Sequence, residues 1–135
     1  MVVKYVYPAI FSKESNGQYS VFFPDLEGCY TGGDGLADAI ESAQDALCLY
    51  LYQKEVNKEE IPEAMAASRI AIKDGEIVSL IACDTLEYRK FFGKQAVRKT
   101  VTLPAWLNTM AEEADISFSA VLQNGLKKTL GISGK

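Results

Sequence analysis

Three sets of side chains in this 135-residue chain have types and spacings that could do chemistry. The first is acidic: Asp25, Glu27 and Asp34 cluster around the tight stretch Pro24-Asp25-Leu26-Glu27-Gly28-Cys29. Carboxylates this close could hold Mg²⁺ or exchange a proton. The second is the thiol of Cys29, in the same stretch. The third is basic and alternating: Val97-Arg98-Lys99-Thr100-Val101-Thr102-Leu103-Pro104. On a strand, Arg98, Thr100 and Thr102 share one side. Val97, Val101 and Leu103 share the other, where Lys99 interrupts the apolar set.

The first two sets do not add up to an active site. The chain has no histidine, which excludes a Cys–His pair, a histidine base and a histidine metal ligand. Cys29 has no Lys or Arg within five residues to activate it. Asp34 precedes a helical pattern and suits its N-cap. Gly28, Gly32, Gly33 and Gly35 are not followed by Lys-Ser/Thr, so they make no phosphate loop and are better explained by turns. No catalytic residue, metal site or cofactor is assigned, and the chain is not read as an enzyme.

The third set can read nucleic acid. A two-stranded ribbon fits the DNA major groove, where Arg98 can donate twice to guanine and the threonines can bond or present methyl groups. Lys94 and Lys99 lie near enough in sequence to meet phosphates. Downstream, Ser117, Phe118 and Ser119 open a second helix whose free N–H groups suit another phosphate. A strand this polar has no sheet of its own nearby, so its partner is expected to be the same strand of a second copy.

Charge divides the chain at the same place. Residues 1–92 carry 8 Lys/Arg and 15 Asp/Glu, a net of −7; residues 93–135 carry 6 and 3, a net of +3. An acidic body suits a basic partner, and a basic tail suits DNA. Hydrophobic residues make up 48%, enough for a core, with no apolar run long enough to span a membrane. Met1-Val2-Val3-Lys4-Tyr5 alternates like a strand and lacks a signal-peptide pattern. Three cysteines, an odd number, favour a reducing cytoplasm.

The elements that must position these residues follow from periodicity. Strands are predicted at Val2–Phe11, Gln18–Phe23 and Cys29–Thr31, the first two joined at Asn16-Gly17. Pro8 argues that the first is an edge or carries a bulge. A helix capped by Asp34 runs to about Tyr52, with Leu36, Ala39, Ile40, Ala43 and Leu47 on its core stripe. Ser68–Ile72 and Ile77–Ala82 are predicted to form a hairpin turned at Asp74-Gly75. Asp84 caps a short helix, with Glu87 completing a capping box. The body is therefore β-β-β-α-β-β, a helix on a small sheet. Residues 93–96 form a linker. Helices follow at Pro104–Glu113 and Phe118–Leu130, the last stopped by Gly131. About forty residues with few apolar groups need a second copy to make a core.

Two stretches together resemble a known family. Phe23-Pro24-Asp25-Leu26-Glu27-Gly28-Cys29, Thr31-Gly32-Gly33-Asp34 and Ala39 are similar to the HicB antitoxins. Arg98 to Leu130, with Thr102-Leu103-Pro104, Leu107 and the Ser117–Ser119 step, resembles the ribbon-helix-helix domain that many of them carry. The resemblance implies an α+β fold: a two-layer, partial ribonuclease-H-like body (1–92) without a working acidic site, then a ribbon-helix-helix domain (97–135). It implies an antitoxin of a type II toxin–antitoxin system that inhibits a HicA-like mRNA ribonuclease and represses its own operon by binding operator double-stranded DNA. Arg98, Thr100 and Thr102 match the base-reading positions, and Ser117 and Ser119 the phosphate clamp. Thr100 stands where family ribbons often have Asn, which changes the kind of base contact. The Asp25–Glu27 loop is the candidate toxin contact. A homodimer through the ribbon is implied, with a tetramer open through the body. A ligand-responsive regulator without a toxin, and a hydrolase using Asp25, are the competing readings.

Overall fold

A computed structural model describes residues 3–132. Val2, at the expected start of the first strand, and residues 133–135, at the end of the expected tail domain, lie outside it. The chain forms two compact units that part between Lys94 and Gln95.

The first unit is a four-stranded antiparallel sheet in the order β3-β2-β1-β4, covered on one face by α1. Its strands are β1 (Lys4–Lys13), β2 (Tyr19–Phe22), β3 (Tyr30–Gly33) and β4 (Glu76–Asp84). Alternation along β1 sends Tyr7, Ala9 and Phe11 into the core. They meet Val21 from β2, Ile81 and Cys83 from β4, and Ala39, Ala43, Leu47, Cys48 and Leu51 from α1 (Leu36–Val56). Phe23 and Leu26 seal the end of the sheet, where Leu26 N–H donates to the Phe23 carbonyl and Cys29 N–H to that of Leu26. Gly33 lets β3 press onto α1: a Cβ there would stand 2.5 Å from the Ala39 nitrogen.

Several elements differ from the sequence reading. Pro8 lies on a central strand, because β4 runs beside β1 from Lys4 to Ser12 while β2 pairs only with Ile10–Lys13. Pro8 is tolerated because β2 has not yet begun beside it. The second hairpin does not form. Ala67–Arg69 is a 3-10 turn and Ile70–Lys73 joins no ladder. The Asp74-Gly75 turn is present, but Lys73 N–H donates to the Glu76 carboxylate at 2.7 Å, a local bond that competes with pairing.

Asp34 does not cap α1. Gly35 occupies that position with φ +143°, and Asp34 Oδ1 accepts from Gln18 Nε2 at 2.8 Å instead. The helix extends to Val56, and its start meets the sheet through the small Ala39 and Ala43, while Leu36 and Ile40 are exposed rather than buried. Asp84 does cap α2 (Thr85–Phe92), accepting from Leu86 N–H at 3.0 Å. Glu87 lies 3.8 Å from Lys90.

The second unit holds α3 (Ala105–Glu113) and α4 (Phe118–Leu130). Pro104 sits at the α3 N-cap, Ser117 Oγ accepts from Ala120 N–H, and Gly131 ends α4 at φ +74°. Val97–Leu103 joins no strand of the body's sheet.

Candidate functional site

No residue between Gly93 and Ile132 is buried, so the second unit has no core of its own among the described residues. Its apolar side chains instead line an open groove of about 420 Å³. Lys99, Val101 and Leu103 of the ribbon, Leu107 and Ala111 of α3, and Phe118 and Leu122 of α4 line it. From Lys99 to Leu103 the alternation read from the sequence is kept: Arg98, Thr100 and Thr102 do not line this groove and are exposed, but Val97, expected on the apolar side, is exposed and outside it as well. Lys99 shares the apolar side, as its position requires.

The start of α4 is built as the capping rule describes. Ser117 Oγ receives the Ala120 amide at 3.3 Å, and the Ser117 carbonyl receives that of Val121. The first amides of a helix have no partner within it, so those of Phe118 and Ser119 face outward with the positive end of the dipole. Ser119 also borders the groove. Lys94, from the other unit, rests its ammonium 4.9 Å from the Phe91 ring.

In the body, the acidic loop is tied down. Asp25 Oδ2 accepts from Met65 N–H at 3.0 Å, fixing the connection that follows α1. Glu27 is exposed, and its carbonyl accepts from the Tyr50 hydroxyl at 2.9 Å. Asp34 is turned toward Gln18. The Asp25 and Asp34 carboxylates are therefore held by different partners, Met65 and Gln18, and Glu27 takes part through its backbone carbonyl. Among the described residues no group of three or more His, Cys, Asp or Glu is placed to hold a metal ion.

Two features were not visible in the sequence. Glu55, nearly buried, accepts from Tyr5 at 2.7 Å, Thr85 at 2.9 Å and Arg89 at 3.0 Å. These partners lie thirty to fifty residues from Glu55, and no local pattern marks them. Burial and the Glu55 carboxylate push the Tyr5 hydroxyl pKa well up. The other feature joins α1 to β4: the buried thiols of Cys48 and Cys83 share a hydrogen bond. Their interaction raises the Cys83 pKa and lowers that of Cys48. Burial alone pushes Cys29 up to about 11.

Residues 7–124 match the profile of the HicB-like antitoxins of bacterial toxin–antitoxin systems. The chain belongs to the HicB-like antitoxin family.

Membership gives the HicB-like chain an antitoxin's role rather than a catalytic one. Related proteins include a UPF0150 protein of Synechocystis sp., 32% identical over 59 residues, which are 44% of this chain and 75% of that protein. An uncharacterized 14.9 kDa protein of Haemophilus phage HP1 is 26% identical over 102 residues, covering 76% and 75%. Among solved structures, a toxin–antitoxin complex from Streptococcus pneumoniae aligns with TM-score 0.61 at 21% identity, over 93% of this chain and 99% of that one. The Burkholderia pseudomallei antitoxin HicB aligns with TM-score 0.55 at 17% identity, over 93% and 98%. These likenesses establish the mixed α/β fold, a small antiparallel sheet packed by helices. No described helix is long and apolar enough to cross a membrane.

Proposed function

We propose that this antitoxin works in the cytoplasm, where its body binds and inhibits a HicA-like mRNA ribonuclease and its tail represses their shared operon. Residues 1–92 bind the toxin, 93–96 link, and 97–135 form a ribbon-helix-helix unit. Two copies join through antiparallel ribbons, closing the open groove of each over the other. The pair could double again through the bodies into a tetramer.

The observation that carries this reading is the split of the ribbon by parity. Val101 and Leu103 line the groove of a unit that buries nothing, while Arg98, Thr100 and Thr102 are exposed and outside it. Pairing the odd-numbered side leaves the even-numbered side to enter the major groove. Lys94 and Lys99 then serve phosphates, with Ser117, Ser119 and the free amides of α4 clamping another. In the body, Asp25 and Glu27 hold the toxin-facing loop, Asp25 through its bond to Met65. The alignment with a toxin–antitoxin complex supports the partnership at the level of fold.

The test is an RNA-cleavage assay with the basic protein of the adjacent reading frame. Stoichiometric inhibition by the full chain is expected. Undiminished cleavage at excess antitoxin would remove the toxin reading and favour a regulator that answers to a small ligand.

A further inference from the structure

At the β3 side of the body the sheet edge and its helix lie open together. β3 is an edge strand, and α1 runs beside it. Two clefts occupy this border. One, of about 190 Å³, lies between Gly28–Tyr30 and the α1 residues Leu49, Tyr50 and Gln53. Leu49 is 44% exposed and Tyr30, at the free edge, 72%. The other, of about 560 Å³, lies nearer the start of α1 and is lined by Asp34, Asp38, Glu41 and Asp45. Positions 38, 41, 45 and 49 fall on one stripe of the helix, so the carboxylates lead directly to Leu49.

No Lys or Arg lines either cleft. Lys54, one turn on along α1, rests its ammonium 5.2 Å over the Tyr50 ring. An apolar anchor beside an unneutralised acidic stripe is the anatomy of a protein interface with a polar flank. A second copy of this chain does not fit, because a two-fold contact would bring the acidic stripe against itself. Nucleic acid is excluded by the same charge.

We infer that the β3–α1 margin is the docking surface for the toxin, taking a basic protein whose apolar group seats against Leu49 and whose Lys or Arg side chains meet Asp38, Glu41 and Asp45. The inference rests on the toxin-binding reading above and gives it a place. Glu27 stands at its rim, since its carbonyl holds Tyr50.

The experiment measures binding of the full chain to the purified product of the adjacent reading frame by biolayer interferometry. Three variants are compared with wild type: Asp38→Lys with Asp45→Lys, Leu49→Asp, and a control, Leu80→Ala, on the sheet face away from α1. Circular dichroism melts establish folding. Each margin variant is expected to raise Kd at least about 30-fold, the loss of one interface anchor, while the control stays within about threefold. If Leu49→Asp unfolds, the charge reversal alone decides. Margin variants that bind like wild type, or a control that loses as much, would overturn the assignment. If wild type itself fails to bind, the toxin reading falls and takes this one with it.

Discussion

Arg89 grips Glu55 through two nitrogens, Nη2 at 3.0 Å and Nε at 3.2 Å from the same carboxylate oxygen. The other oxygen accepts from Tyr5 and Thr85. One carboxylate thus ties the end of α1 to β1 and to both ends of α2, the last helix before the linker.

Removing that carboxylate should loosen the body. Glu55→Ala leaves the buried Thr85 hydroxyl and the Arg89 guanidinium short of a partner. Arg89 is 31% exposed and can turn to water, so the cost should be about 2 kcal/mol, below that of breaking a fully buried pair. A urea titration followed by circular dichroism measures it. A midpoint equal to wild type would show that the network holds nothing.

High pH should act in the same direction. Cys29, Cys83, Tyr5, Tyr7 and Tyr88 all have pKa values raised in the folded chain, chiefly by burial, with the Cys48 bond foremost for Cys83. A raised value stabilises the fold below the unfolded pKa and loses that contribution as pH climbs through the folded one. For Cys29 the loss runs from its ordinary value of 9.0 to about 11. The melting temperature should therefore fall steadily above pH 9, and Cys29→Ala should flatten part of that slope. A melting temperature independent of pH from 8 to 11 would refute the assignment.

The groove of the tail should respond to charge on its wall. Val101→Asp places a carboxylate where two ribbons must meet. Light scattering should show wild type at twice the 14.8 kDa of one chain or more, and the variant at one chain. The body's melt should persist in the variant, because none of its core residues lies beyond Cys83. A variant that stays dimeric would mean that the pairing runs through another surface.

What could be read in advance was local. The alternation of Lys99–Leu103, the caps at Asp84 and Ser117 and the stop at Gly131 depend on neighbours in sequence, and each stands in the structure as the residues imply, whereas Val97 stays outside the groove. The misreadings arose where a distant or competing partner decides. Asp34 looks like a cap until Gln18 claims its carboxylate. Ile40 fits the helical stripe, but this part of α1 meets the sheet through Ala39 and Ala43, and Ile40 stays exposed. Ser68–Ile72 has strand residues, yet the bond from Lys73 to Glu76 turns the chain before a ladder can start. The proposed toxin surface could not be read in advance: the sequence pointed to Asp25 and Glu27, and only the fold brings β3 and Leu49 to the same margin.

The division of the ribbon by parity is tested most directly by a gel shift on DNA from upstream of the operon. The chain with Arg98→Ala, Thr100→Ala and Thr102→Ala is compared with wild type at one salt concentration. The triple variant should remain dimeric and lose specific binding by at least about 100-fold, keeping only the weak, salt-sensitive affinity of its lysines. A triple variant that binds this DNA with wild-type affinity and selectivity would contradict the assignment of the even-numbered face to the operator.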